Sequence, residues 1–256
     1  MKLISIITIN YNNADGLTKT IKSVREQNFT NFELIVIDGD STDKSVEIIK
    51  QSKEITTWIS EKDKGIYDAQ NKGIAMAKGT YLLFLNSGDC LANSNILQTI
   101  SEKLNGKKSF YYGNLLLEKN GTTEQHLAPE QVDVDFMLNS TFWHPCVFIR
   151  ADLFSKYGLY NATFKIAGDY EFFVRCWLKP DVSSEYLNEF ICLFDGNGIS
   201  NNLSHSSLQT QEREEAWKMN LALPFYHMLK SQNAFSRSKY APMINFVQGI
   251  RGKQKF

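Results

Sequence analysis

Short polar clusters interrupt the apolar runs of this chain, and they hold the side chains able to do chemistry. They are Thr8-Ile9-Asn10-Tyr11-Asn12, Asp38-Gly39-Asp40-Ser41, Lys64-Gly65, Asn86-Ser87-Gly88-Asp89, Phe142-Trp143-His144-Pro145 and Gly168-Asp169-Tyr170-Glu171. A lysine and a glycine ahead of a helix suit a phosphate, because the helix N-terminus presents unpaired amides. A lone carboxylate such as Asp89 suits Mg²⁺ or Mn²⁺ when phosphate oxygens and water complete the shell. An aspartate at a helix start, such as Asp169, can take a proton from a hydroxyl or cap the helix. His144 can titrate near neutrality or pack beside Trp143.

The elements that must position these groups alternate along the chain. Leu3 to Ile9, Phe32 to Ile37 and Thr80 to Leu85 are short, continuous apolar runs, as in strands buried on both faces. Between them lie helical patterns: residues 14–27 with Leu17, Ile21 and Val24, a segment carrying Val46 and Ile49, and residues 65–78. Ser41 or Asp40 is expected to cap the second helix, and Asn93 or Ser94 the helix of Ile96, Leu97, Ile100 and Leu104. Strand and helix in alternation predict a mostly parallel α/β sheet with right-handed crossovers, whose ligands bind at the carboxyl ends of the strands. The polar clusters fall at those ends. Further on, Phe110 to Leu117, Cys146 to Arg150 and Glu185 to Phe194 read as strands, with a hairpin-like turn at Asn120-Gly121 and a helix over 169–178. From Ser204 the pattern is helical and is interrupted by Pro224. The expected organisation is a domain over residues 1–203 with a helical C-terminal appendage over 204–256.

Taken together and in order, these segments resemble glycosyltransferase family 2, whose fold is the GT-A variant of the Rossmann-like sheet. The opening strand Ile4 to Asn12, the run Phe32 to Asp43 with its D-G-S-x-D-like turn, the helix Lys64 to Gly73 and Leu85-Asn86-Ser87-Gly88-Asp89 carry the resemblance. The closest likeness is to bacterial enzymes of surface-polysaccharide biosynthesis. The resemblance implies a nucleotide-sugar donor, of which a UDP-sugar is the expected form, and transfer to a hydroxyl of a saccharide or lipid-linked saccharide. It implies donor contacts from Thr8, Tyr11, Asp38, Lys64, Gly65, Asp68 and Gly88, with weaker hints for Asp63. Asp89 is implied as the ligand of Mn²⁺ or Mg²⁺, although Asn86 and Gly88 stand where many members carry acids. Asp169 falls at the second position of the family's E-D motif, which makes it the catalytic base; Gly168 replaces the first acid, and Glu171 is the reserve. His144 resembles a polar residue near donor sugar and acceptor. Asn71 is expected to pin the loop before Asn86, and His205 could add a metal ligand. One base and direct displacement imply inversion at the anomeric carbon.

Two other readings remain. A sugar-phosphate nucleotidyltransferase would need a glycine-rich loop near the N-terminus, which Leu3 to Thr8 lacks. A non-catalytic carbohydrate-binding or scaffold protein on a decayed transferase fold would explain glycine at 88 and 168. A processive synthase is disfavoured, since Gln211, Arg213 and Trp217 do not have Q-x-x-R-W spacing.

Composition narrows the setting. With 43% hydrophobic and 22% charged residues, the chain is an ordinary globular one, long enough to need no disulfide or structural metal. Cys90, Cys146, Cys176 and Cys192 form no C-x-x-C pair, so reduced thiols are expected, the last three in the core. No signal peptide or membrane span is evident, which predicts a cytoplasmic protein, peripheral at most at the inner face of the membrane. The formal net charge is zero, which argues against nucleic acid. The zero conceals an asymmetry. Seven of the 28 basic residues follow Glu215 and no acid does, leaving 21 basic against 28 acidic residues before it. The same stretch holds Trp217, Phe225, Tyr226, Phe235, Tyr240, Phe246 and Phe256, so residues 216–256 suit either an anionic membrane surface or a partly packed basic tail.

Overall fold

The computed structural model describes residues 2–119, 121–196 and 206–236. Strands β1 (Ile4–Asn10), β2 (Phe32–Asp38), β3 (Thr57–Ser60) and β4 (Tyr81–Phe84) form a parallel quartet in the order β3-β2-β1-β4. Helices α1 (Ala14–Arg25), α2 (Ser45–Gln51) and α3 (Ile66–Met76) connect them. The sheet then turns mixed. β8 (Val147–Arg150) runs antiparallel to β4, β6 (Phe110–Lys119) antiparallel to β8, β9 (Ser184–Asp195) parallel to β6, and the short β5 (Cys90–Leu91) antiparallel to β9. β7 (Thr122–His126) pairs with β6 as a hairpin, as the Asn120-Gly121 turn predicts.

The apolar runs are continuous because both faces of the sheet are covered. Along β1, Ile4 and Ile6 join Leu34, Val36, Leu83 and α1 on one face. Ile7 joins Ile35, Ile37, Phe84 and α3 on the other. Gly73 lets α3 approach closely, since a Cβ there would lie 2.4 Å from Ile7 Cγ2. β2 and β4 flank β1, so the strand order switches direction there, and that is where α/β sheets open a crevice.

Local capping differs from expectation. Lys44 precedes α2 without a side-chain bond, and Asp43 accepts from the Ser45 amide at 2.9 Å. Asp40 takes a left-handed backbone instead, with φ 66°. Asn95 precedes α4 (Ile96–Ser101), and Asn93 merely accepts the Asn95 amide at 2.9 Å. Both helices are short, and the turn before each satisfies its own amides.

The remaining helices are α5 (Val134–Asn139), α6 (Asp152–Tyr157), α7 (Gly168–Trp177), α8 (Ser206–Asn220) and α9 (Leu223–Ser236). Helix α8 docks on α7. Trp217 Nε1 donates to Tyr170 Oη at 2.6 Å, Tyr170 Oη donates to Met137 O at 2.6 Å, and the Arg213 guanidinium lies 4.3 Å over the Tyr170 ring. Ala216, Trp217 and Tyr226 belong to the same buried cluster as Phe172 and Phe173. Trp217 and Tyr226 therefore leave the set of aromatics offered to a membrane, because the core takes them. Residues 237–256, with Tyr240, Phe246, Phe256 and most of the late cations, lie outside the described residues.

Cys146, Cys176 and Cys192 are buried thiols, and Cys90 is partly exposed. No described helix is long and apolar enough to cross a membrane.

Candidate active site

The crevice edge is built from strand ends. In register, Asn10 faces Asp38 across β1 and β2. Asp38 is fully buried, and its carboxylate receives Asn10 Nδ2 at 2.8 Å, the Ser41 amide at 3.0 Å, Ser41 Oγ at 2.6 Å and Ser60 Oγ at 2.7 Å. Burial pushes this carboxyl up, but the hydrogen bonds from Ser41, Ser60 and Asn10 outweigh it and hold it below its usual range. Thr8 is equally enclosed and donates to Leu85 O at 2.8 Å. Both side chains turn their hydrogen-bonding capacity inward, where it ties β1, β2, β3 and the turn after β4 together.

What remains open at this edge is Tyr11. Its side chain is 68% exposed. Beside it, a Cβ on Gly39 would lie 3.3 Å from Tyr11 Cδ2 and 2.9 Å from Asp63 Oδ2. Tyr11 and Asp63 thus pack too closely on Gly39 for any side chain there, and the exposed ring of Tyr11 is a surface on which a flat heterocycle can stack. Lys72 holds Asp63 at 2.5 Å and also reaches Glu61 at 2.9 Å. Burial lowers the ammonium's pKa, and the pairing with Asp63 and Glu61 more than offsets this.

Gly65, at φ 135°, begins α3. Asp68 Oδ2 accepts the Lys64 amide at 3.0 Å, so this partly exposed acid also fastens the helix start. The Lys64 side chain is exposed. One turn on, Tyr67, Gln70 and Asn71 share a face of α3. Asn71 exchanges two hydrogen bonds with the Tyr160 backbone, at 2.8 and 3.0 Å, so it pins that segment and not the one before Asn86. Gln70 is buried, and its carbonyl oxygen finds no partner among the described residues.

The turn after β4 is fastened by Thr20, whose hydroxyl lies 3.2 Å from Asn86 O and 2.7 Å from Asp89 O and accepts the Gly88 amide at 3.0 Å. Gly88 has φ 109°, so its role is conformational. Asp89 is buried, and its Oδ1 accepts the Asp195 amide at 3.2 Å. Burial raises the Asp89 carboxyl to about 7, with the Asp195 charge adding to the rise. Sequence reasoning missed Asp195; its place after an apolar strand and before Gly196 was the available signal. No group of three or more His, Cys, Asp or Glu side chains converges among the described residues. Two carboxylates remain a fitting donor set for a divalent ion that also takes diphosphate oxygens. His205 lies outside the described residues.

A cavity of about 350 Å³ opens beside this turn. Asn86, Gln70, His144, Asp169 and Arg213 supply polar groups to its wall, and Trp143 and Phe194 apolar ones. His144 stacks on Phe84 with centroids 4.6 Å apart, and its Nε2 lies 2.8 Å from Tyr160 Oη. Burial lowers the imidazole pKa, partly offset by Asp169, so the ring is neutral at pH 7.

Asp169 is not the cap of α7. Ala167 holds that position without a side-chain bond, and the preceding amides are taken by a residue far along the chain. Glu212 of α8 accepts the amides of Lys165, Ile166 and Ala167 at 2.7, 2.9 and 2.8 Å. Asp169 is therefore free to face the cavity. Glu171 is turned away: it pairs with Arg175 at 2.8 Å and accepts Asn220 Nδ2 at 2.9 Å. Gly168 stands where the resemblance expects an acid, and a side chain there would collide with the Tyr67 ring, whose Cε2 would lie 2.7 Å from a Cβ.

A sheet with this switch point, an exposed aromatic ring at the strand ends and a carboxylate-bearing cavity beside them is the GT-A architecture of sugar transferases. The particular family follows from comparison: residues 5–168 match the model of Glycosyl transferase family 2, and the chain belongs to that family and is a glycosyltransferase. It is 32% identical over 213 residues to an uncharacterised glycosyltransferase of Mycobacterium tuberculosis, covering 80% of this chain and 79% of that one. It is 27% identical over 209 residues to a PGL/p-HBAD biosynthesis glycosyltransferase of Mycobacterium bovis, covering 78% and 80%. Among solved structures, residues 1–349 of S. aureus TarS with UDP-GlcNAc superpose with TM-score 0.69 at 17% identity, over 93% of this chain and 74% of that one. The mannosyltransferase of Pyrobaculum calidifontis with GDP-Man and Mn²⁺ gives TM-score 0.58 at 12% identity, over 96% and 84%.

Proposed function

We propose that this protein is an inverting glycosyltransferase that moves a sugar from a UDP-sugar to a hydroxyl of a saccharide or lipid-linked saccharide. The observation that carries this reading is the cavity itself: among its described lining residues Asp169 is the sole carboxylate. One carboxylate serves a single displacement, whereas retention through a covalent intermediate calls for a nucleophile and an acid/base. Asp169 takes the acceptor hydroxyl proton. The acceptor oxygen then bonds the anomeric carbon, and the bond to the diphosphate breaks with its electron pair leaving on the nucleotide. Neutral His144 donates or accepts a hydrogen bond to the sugar, and Gln70 offers a carbonyl that no described residue engages. The uracil stacks on the exposed ring of Tyr11, with Lys64 near the phosphates. Asp89, supported by Asp195, is the ligand for Mn²⁺ or Mg²⁺, which when bound neutralises the leaving diphosphate.

The nucleotide-bound neighbours support the donor class, and the Mn²⁺-bound one supports the metal. The late cations and the exposed Met219, Leu223, Phe225 and Met228 of α8 and α9 support contact with an anionic membrane at its cytoplasmic face. The test is UDP release from a panel of UDP-sugars, with Asp169→Asn in parallel. The variant should lose at least about a thousandfold in turnover while binding UDP as before. Retained turnover removes Asp169 as the base. Absence of release from every sugar by the unaltered chain favours a non-catalytic binding protein.

A further inference from the structure

We propose that Tyr67 is a positioning residue for Asp169, with a hydroxyl proton that changes acceptor when Asp169 takes up the proton of the acceptor. The inference rests on the reading of Asp169 as base. Tyr67 Oη lies 3.0 Å from Asp169 Oδ1 and 2.6 Å from Ile166 O. A phenol has one proton, so these two acceptors compete for it.

Everything around that hydroxyl is held. The ring cannot shift toward α7, since a Cβ on Gly168 would already meet Tyr67 Cε2 at 2.7 Å. The Ile166 carbonyl cannot swing, because its own amide and both neighbouring amides are bound by Glu212. Only the C–O–H torsion is left to move. Burial, and then the Asp169 charge, push the Tyr67 hydroxyl well above its ordinary value, so it stays a donor at every working pH.

The two states of the site then each satisfy their polar groups. While Asp169 is ionised, the Tyr67 proton lies on Oδ1 and fixes the carboxylate toward the cavity. When the acceptor O–H breaks and its proton passes to Asp169, the negative charge is gone. The Tyr67 proton then rotates to Ile166 O, and no buried donor is orphaned. Tyr67 transfers no proton, and the proton balance is carried by Asp169 alone.

The experiment uses the full chain with the UDP-sugar that turns over, and records kcat against pH, UDP affinity and melting temperature. Tyr67→Phe removes the donor while keeping the ring. We expect kcat to fall about tenfold or more with UDP affinity unchanged. The acid limb should move to higher pH, because the ionised base has lost a donor that favours it. Site-specific 3-fluorotyrosine at position 67, a stronger donor of nearly the same shape, should move the limb the other way. An unchanged kcat and acid limb in Tyr67→Phe, while Asp169→Asn is inactive, overturns the proposal and leaves the base reading intact. A fall in kcat with a lowered melting temperature and an unmoved limb also overturns it, as packing alone. Turnover by Asp169→Asn is a failure of the base reading itself.

Discussion

The Tyr67 ring occupies the space that any side chain at Gly168 would need: a Cβ built there comes within 2.7 to 2.9 Å of three ring carbons. The two residues lie on different helices, α3 and α7, and bring Asp169 to the wall of the cavity.

Gly168→Ala should therefore cost about 1–3 kcal/mol in stability, as an overpacked core does. In a Tyr67→Ala background the same substitution should cost much less, because the opposing ring is gone. Denaturant unfolding of the four chains in a double-mutant cycle measures the coupling. Additive costs would show that ring and glycine do not compete for space.

Tyr11 projects into solvent beside Gly39, so Tyr11→Ala should leave melting unchanged. Loss of the stacking face should raise the Kd for UDP by about tenfold. Isothermal titration checks the affinity, with uridine as a control for the base and ribose alone, and a thermal melt checks the stability.

Asp89 links stability to pH. Its carboxyl is raised to about 7 in the folded chain. An exposed aspartate releases its proton near pH 4. Between those values the folded state binds the extra proton, so stability falls as pH rises across the interval. Melting temperatures from pH 5 to 8 should show that fall, and Asp89→Asn should flatten it by on the order of 5 °C. Mn²⁺ at pH 8 should raise the melting temperature of the unaltered chain and leave that of Asp89→Asn alone.

The outer surface of α9 offers a test of membrane contact. Phe225 and Met228 are exposed one helical turn apart, while Tyr226 faces the core. The pair Phe225→Glu with Met228→Glu should keep the melting temperature and lower flotation with vesicles rich in anionic lipid. Equal flotation of the two chains would place lipid contact elsewhere or nowhere.

Much of the fold was legible because its strands are buried on both faces. Ile4 to Ile9, Phe32 to Ile37 and Tyr81 to Leu85 read as unbroken apolar runs, and each ends in a polar cluster at the crevice. Residue type and position along the chain also brought His144, Asp169 and Asp89 into view. Direction was not legible. Asp38 and Thr8 stand at the right strand ends but point inward, and nothing in a local window distinguishes a carboxylate facing a ligand from one facing Asn10, Ser41 and Ser60. Contacts across long separations were equally hidden. Tyr67 meets Asp169 across 102 residues, and Asp195 meets Asp89 across 106. Glu212 sat in a polar helical stretch where any acid reads as solvated, and its burial follows only from the docking of α8.

That docking has a consequence for how the protein is made. A chain leaving the ribosome exposes Asp169 well before Glu212, and domains of this kind fold as their segments emerge. Until α8 arrives, the amides of Lys165, Ile166 and Ala167 have no carboxylate to hold them, and the loop ahead of Asp169 is unfastened. Nascent chains that have not yet reached α8 thus leave that loop unfastened even when the strand ends around Tyr11 are built. Activity begins only once α8 has emerged and docked.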